Sequence, residues 1–360
     1  MTTSAASLET RLVADFDARR PAALARAISI VENQRTGFDA VLGALHPRIG
    51  HARRIGITGP PGAGKSTVTT QLTMAYREAG LTVGIIAVDP TSPFTGGALL
   101  GDRIRMESVA LDPGVYIRSL ATRGSLGGLS AATRAVADVL DAYGFDRILM
   151  ETVGVGQSEL DIARAADTTV VILVPESGDS IQTLKAGLME IADIFVVNKA
   201  DRPGADRVRT DIELMLGMRA GEALRNVPAH HGVDLKKLMN PARLAREAAS
   251  TDQRESWTPP VLRAAAAKGE GIGDLITALD RHVRYLENSG ELRRRRRQRL
   301  REQVIDVTEH KVRQRLWRDA DTNAFIESCL TALEAGTATP FGVADELLSR
   351  SGHILTRTGS

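Results

Sequence analysis

Cysteine is nearly missing from this chain of 360 residues, Cys329 being the one example. That excludes an internal disulfide framework and any metal centre built from clustered thiolates. Aromatic residues amount to 4%, and lysine is scarce, with 7 lysines among the 46 basic side chains. Charge is almost balanced, 46 basic against 44 acidic residues, for a formal net charge of +2. Bulk nucleic-acid binding draws most of its affinity from a basic excess, which this chain lacks. No apolar run approaches the ~18–20 residues of a membrane span, and the N-terminus has no signal-peptide core. A cytoplasmic protein with no membrane and no nucleic-acid partner is therefore expected. What remains is ordinary globular usage, 43% hydrophobic and 25% charged, at a length that fits one large or two modest domains.

Residues 8–45 carry helical periodicity, with Leu8, Leu12, Leu24, Ile28, Val31, Val41 and Leu45 recurring at spacings of three and four. Pro21 marks a helix start and Gly37 a break. Short aliphatic runs then follow at 54–58, 81–89, 115–119, 147–151, 168–174, 194–198 and 261–264. Between them, 65–79, 129–143, 179–191 and 273–286 have helical spacing. Runs that are almost wholly apolar, such as 170–174, are typical of strands covered on both faces. The alternation predicts an α/β fold with a mostly parallel sheet and helices on both faces. This core spans 51–290, with an N-terminal helical extension over 1–50 and a C-terminal helical dimerisation arm over 291–360. Residues 217–258 break the repeat and read as an insertion. The five-arginine run 293–297 precedes Leu300, Val304, Val307, Val312 and Leu316, and reads as a solvated helix face or dimer arm. His230-His231 reads as loop, because a metal site would want further spaced ligands.

Gly59-Pro60-Pro61-Gly62-Ala63-Gly64-Lys65-Ser66 matches the phosphate-binding loop G-x-x-x-x-G-K-[ST], between a strand pattern and a helix pattern. Such a loop wraps phosphates with backbone N–H groups at a helix N-terminus. Lys65 is expected to reach the β- and γ-phosphates and Ser66 to bind Mg²⁺, with Thr67 continuing the contact set. Asn198-Lys199-Ala200-Asp201 ends a strand, where the Asp201 carboxylate can accept both guanine donors, a pair that adenine does not offer. Asn198 and Lys199 would brace the loop and cover the base. Glu151-Thr152-Val153-Gly154 stands where an acidic residue approaches Mg²⁺ and a glycine N–H senses the γ-phosphate. Asp89 and Asp102 are further carboxylates at that end, suited to Mg²⁺ as oxygen ligands. Val155 follows Gly154, and Gln157 lies two residues further on, so slow intrinsic turnover raised by a partner is expected, with Lys65, Glu151 and Gln157 as the catalytic candidates.

These residues, with Asp89-Pro90-Thr91-Ser92-Pro93, Ala121-Thr122-Arg123-Gly124, Glu151-Thr152-Val153-Gly154-Val155-Gly156-Gln157-Ser158-Glu159 and Gly269-Glu270-Gly271, resemble the methylmalonyl-CoA mutase-associated GTPases, the MeaB/ArgK family within the SIMIBI class of P-loop proteins. The resemblance covers nearly the whole chain. It implies a GTPase that chaperones an adenosylcobalamin-dependent acyl-CoA mutase, gating cofactor loading and protecting or reactivating the mutase. GTP, GDP and Mg²⁺ would be its own ligands, adenosylcobalamin would be met only through the mutase, and a cobalamin adenosyltransferase would be a further partner. The family pattern matches Lys65, Ser66, Asp89, Asp102 and Glu151 to phosphate and Mg²⁺, and Asn198, Lys199 and Asp201 to the base. It also implies switch segments near 89–106, 152–164 and 176–187. Where the family has a Ser-Ala pair before Gly-x-Gly, this chain has Ala265, Ala266 and Ala267, so backbone contact alone carries over. Two other readings stay open: a metallochaperone GTPase of the same superfamily, and a P-loop kinase or transport ATPase, which would have no use for Asn-Lys-x-Asp.

Overall fold

In the computed structural model the aliphatic runs become seven strands: β1 (Arg53–Thr58), β2 (Val83–Asp89), β3 (Val115–Ala121), β4 (Arg147–Thr152), β5 (Thr168–Leu173), β6 (Ile194–Val197) and β7 (Val261–Arg263). The structure describes residues 2–89, 106–121, 128–152, 158–175, 187–219, 256–350 and 352. The sheet is parallel throughout, in the order β3-β2-β4-β1-β5-β6-β7. All carboxyl ends therefore share one edge. β1 lies between β4 and β5, so later strands are added on both sides of it. The crevice outside such a divergence is where open α/β sheets bind ligands.

Thirteen α-helices lie among the described residues. They are α1 (Thr2–Asp17), α2 (Pro21–Glu32), α3 (Phe38–Leu45), α4 (Lys65–Glu78), α5 (Glu107–Ala110), α6 (Gly128–Tyr143) and α7 (Ser158–Ala165). They continue with α8 (Met189–Ile191), α9 (Ala205–Arg219), α10 (Ile272–Asn288), α11 (Glu291–Arg318), α12 (Ala320–Glu334) and α13 (Pro340–Arg350). Pro21 occupies the first turn of α2, where its missing N–H is no loss. Gly37 precedes α3 with φ 88°, a left-handed conformation that reverses the chain.

Neighbouring residues in each strand bury opposite faces, as the pleat requires. Ile86 and Val88 join Ile148, Met150, Leu140 and Ile162 on one face, where α1–α3 also add Phe16, Leu24, Ile28 and Leu45. Ile85, Leu149, Val170 and Ile172 join Leu72 of α4 and Leu275 of α10 on the other. Val171, Leu173, Phe195 and Val197 pack with Val208 and Ile212 of α9. Much of 217–258 lies outside the described residues, as do 176–186.

Packing divides the chain into two units, Met1–Arg296 and Arg297–Ser360, and the division falls within α11. In the second unit, Asp319 caps α12 by accepting a hydrogen bond from Thr322 N at 3.0 Å. Leu300, Val304, Val307 and Trp317 of α11, and Phe341 of α13, stand exposed. No helix among the described residues is long and apolar enough to cross a membrane.

The amino end of the sheet in the first unit is tied by ions. Buried Arg54 donates to Asp138 Oδ1 at 2.7 Å and to Asp141 Oδ2 at 3.0 Å. Asp141 also accepts from the backbone N–H groups of Gly50, His51 and Ala52 at 2.8–3.0 Å. Arg296 donates to Asp167 Oδ2 at 3.0 Å, and Arg295 to both oxygens of Asp193 at 3.0 and 2.9 Å. His282 Nε2 lies 3.3 Å from Asp193 Oδ1, and its Nδ1 pairs with Thr168 Oγ1 at 2.8 Å. Burial alone would push the Asp193 carboxyl up, but His282 and Arg295 bring it below the ordinary carboxylate range. The expectation of a solvated arginine run thus holds for exposed Arg293, Arg294 and Arg297 but not for Arg295 and Arg296. Asp193 and Asp167 are buried carboxylates that need counter-charge, and no local pattern in the run reveals that need.

Candidate active site

The loop Gly59–Ser66 leaves β1 and opens α4, so the N-terminus of a buried-face helix points at the carboxyl edge of the sheet. Two glycines are forced by geometry. Gly59 has φ 139°, and a Cβ there would fall 2.0 Å from the Ile172 carbonyl oxygen. Gly64 has φ 85°, and its Cβ would meet Asn198 Nδ2 at 2.4 Å. Lys65 folds back over the loop, its Nζ donating to the carbonyls of Gly59 at 2.9 Å and Pro60 at 3.0 Å. Beside it lies a cavity of about 260 Å³ bordered by Pro61, Gly62, Lys65, Ser66, Glu151 and Thr152. Thr67 also faces that cavity.

Glu151, next to last in β4, is in register with Ile57 of β1 and Ala87 of β2, which brings its side chain under the loop. It accepts from Ser66 Oγ at 2.5 Å and from Thr69 Oγ1 at 2.9 Å, and it is buried. Next to it, the hydroxyls of Thr58 and Thr152 pair at 3.0 Å. A hydroxyl and a carboxylate side by side at a phosphate loop are a donor set for a hard cation with oxygen preference, and Mg²⁺ fits it. Asp89 closes β2 at this same edge, but its side chain lies outside the described residues. Asp102, Gly154 and Gln157 lie outside them too. Glu159, in the first turn of α7, has its carboxyl pushed up by burial, an effect that the charge of Lys65 partly offsets.

The second loop is joined to the first through Asn198. Its Nδ2 donates to the Ala63 carbonyl at 2.8 Å, and its Oδ1 accepts from Ala266 N at 3.1 Å. One buried amide therefore spans the phosphate loop, the end of β6 and the turn after β7. Lys199 takes φ 55°, and Ala200 N donates to the Ala264 carbonyl at 2.9 Å, so the chain reverses beside β7. Ala265 and Ala266 are buried and Ala267 is exposed. Asp201 projects from this loop and pairs with Lys268 Nζ at 3.0 Å, both side chains being partly exposed. Hydrogen bonding to Lys268 holds the Asp201 carboxyl below the ordinary carboxylate range and raises Lys268 in turn.

Sequence reasoning missed Thr69 and Lys268. Thr69 stands three residues after Ser66 and so shares its helix face, a signal available once the loop–helix junction is recognised. Lys268 meets Asp201 only through the packing of β7 beside β6, which local pattern does not encode.

Three comparisons bear on this constellation. Residues 24–321 match the family model described as methylmalonyl Co-A mutase-associated GTPase MeaB. A protein of Pyrococcus horikoshii, provisionally named a GTPase, is 44% identical over 328 residues, covering 91% of this chain and 93% of its own. The GTPase ArgK of Escherichia coli is 33% identical over 323 residues, covering 89% of each chain. Among solved structures, one titled LAO/AO transport system kinase superposes with a TM-score of 0.61 at 27% identity, covering 96% of this chain and 97% of that one.

Proposed function

Because the chain belongs to the family of methylmalonyl-CoA mutase-associated GTPases, we propose that this P-loop GTPase serves as the nucleotide-driven chaperone of an adenosylcobalamin-dependent acyl-CoA mutase. The observation that carries the nucleotide half is the double grip of Asn198, which joins the loop suited to phosphates to the loop suited to a base. Residue roles follow from chemistry. Backbone N–H groups of 62–67 and the Lys65 ammonium neutralise the β- and γ-phosphates, with the turn from Gly59 through Pro60, Pro61, Ala63 and Gly64 shaping the cradle. Ser66 and Glu151 would hold Mg²⁺, which when bound supplies charge neutralisation between the phosphates. Asp201 accepts the paired guanine donors, exchanging its partner Lys268 for the base, while Lys199 and the backbone of Ala265–Ala267 cover the ring. Asp89 and Asp102 as further cation ligands, Gly154 as the γ-phosphate sensor and Gln157 beside the attacking water complete the reading on sequence grounds.

The mutase half is supported by the family description and by a mouse relative, the mitochondrial methylmalonic aciduria type A homolog, 33% identical over 305 residues and covering 81% of this chain and 64% of its own. Adenosylcobalamin is reached through the mutase alone, with a cobalamin adenosyltransferase as the donor partner. A homodimer through the second unit is supported by the exposed Leu300, Val304 and Val307, whose apolar surface favours burial. The metallochaperone alternative gains no support from the described residues, among which no cluster of three or more His, Cys, Asp or Glu could hold a metal ion. The test is GTP turnover with and without purified methylmalonyl-CoA mutase. Stimulation of about tenfold or more is expected, since partner contacts commonly supply orders of magnitude in GTPases. Turnover that ignores the mutase in both its empty and cofactor-loaded forms would overturn the chaperone reading.

A further inference from the structure

Glu151 sits buried between two strands, and a carboxylate there is tolerated only when both oxygens have partners. Ser66 takes Oε1 at 2.5 Å, and Thr69 lies 2.9 Å from Oε2. The Thr69 hydroxyl also lies 3.0 Å from the Lys65 carbonyl, so its single proton has two acceptors in reach. The charged one is the stronger. Two other threonines of α4 show the ordinary alternative, Thr70 and Thr73 each donating to the carbonyl four residues back at 2.8 Å. Thr69 differs from them in facing Glu151.

We infer that Thr69 is a positioning residue of the Mg²⁺ site: its hydroxyl holds one oxygen of Glu151, so that the other oxygen stays on Ser66. The terminal torsion of a glutamate is broad and roughly two-fold, so a carboxylate gripped at one oxygen can swing. Gripped at both, it presents a fixed plane. Ser66 can then keep its proton on Oε1 and turn a lone pair toward the cation, without reorganising when the ion arrives. Partners of this kind, one bond removed from a metal, commonly change its affinity 10–100-fold when lost. The inference rests on the GTPase reading of the same site.

The experiment uses the full chain and fluorescent GDP, measuring the Mg²⁺ concentration for half-maximal retention of the nucleotide and, separately, GDP affinity in excess chelator. Thr69→Val keeps the shape and removes the hydroxyl. Its Mg²⁺ midpoint should rise about tenfold or more, with GDP affinity in chelator close to the parent's. Thr69→Ser should restore the parental midpoint, and Thr73→Val, which removes an equally buried hydroxyl on the same helix, should leave it in place. If valine disturbs packing, seen as early melting in chelator, Thr69→Ala against Thr69→Ser makes the same comparison with smaller side chains. A Thr69→Val midpoint within about twofold of the parent's, or an equal shift in Thr73→Val, overturns the inference. A parent chain whose GDP binding ignores Mg²⁺ overturns the Mg²⁺ reading itself, and that failure is visible before any substitution is made.

Discussion

At the amino end of the sheet, Arg54 faces Asp138 and Asp141 with side-chain exposures of 5%, 11% and 0%, whereas at the carboxyl end Lys268 faces Asp201 with exposures of 56% and 39%. Both are ion pairs near 3 Å, yet their consequences differ. Removing one partner of a buried pair strands a charge in a medium that cannot solvate it. An exposed pair is screened, and its members exchange partners readily. The same division runs through the rest of each end. Asp167 and Asp193 are closed by Arg296 and Arg295, while Lys65 and Glu151 are hydrogen-bonded to carbonyls and hydroxyls at the border of a cavity of about 260 Å³. One end fixes the strands, and the other keeps charge where an incoming ligand can meet it.

The largest expected effect comes from breaking the amino-end network. Arg54→Met leaves Asp138 and Asp141 without their guanidinium, and the loss of folding stability should be about 3–5 kcal/mol in urea unfolding. Guanine-nucleotide affinity of the remaining folded fraction should stay near the parent's, because the substitution lies at the opposite end of β1. A loss below about 1 kcal/mol would mean that this network resembles a surface pair and that the contrast between the two ends is false.

A smaller effect is expected at Asp193. Its carboxyl titrates lower in the folded chain than in the unfolded one, so its stabilising contribution is present above the ordinary carboxylate value of about 4 and is lost as pH falls through the folded value. Asp193→Asn should cost about 1.5–3 kcal/mol at neutral pH, the range for hydrogen bonds to charged groups. It should also flatten the fall of stability below about pH 4, where ordinary carboxylates titrate. Urea midpoints against pH for parent and variant check both. Parallel curves would show that Arg295 and His282 do not set the carboxyl's titration.

How much of this was legible in the chain follows the range of each interaction. Strand cores such as Val170–Leu173 announce themselves because burial on both faces leaves no polar position to confuse the period. The phosphate loop is legible because only a few residue types survive φ values such as 139° at Gly59. The position of Glu151 followed from its place at a strand end, yet its partner Thr69 did not, since a hydroxyl mid-helix usually serves its own backbone. Arg295 and Arg296 were the least legible, because the carboxylates they close lie more than a hundred residues earlier. Of the switch segments implied near 89–106, 152–164 and 176–187, residues 90–105, 153–157 and 176–186 lie outside the described residues, while 158–164 belong to α7.

The central claim, that the carboxyl end is a guanine-nucleotide site whose exposed Asp201 exchanges Lys268 for the base, is tested most directly by equilibrium binding of GTP, GDP and ATP to the full chain. Guanine nucleotides should bind at least about a hundredfold tighter than ATP, because a site built for paired donors rejects a base that lacks them. Asp201→Asn should move the preference toward xanthosine nucleotides, whose added carbonyl accepts from the amide. Equal affinity of the unmodified chain for GTP and ATP would contradict the account.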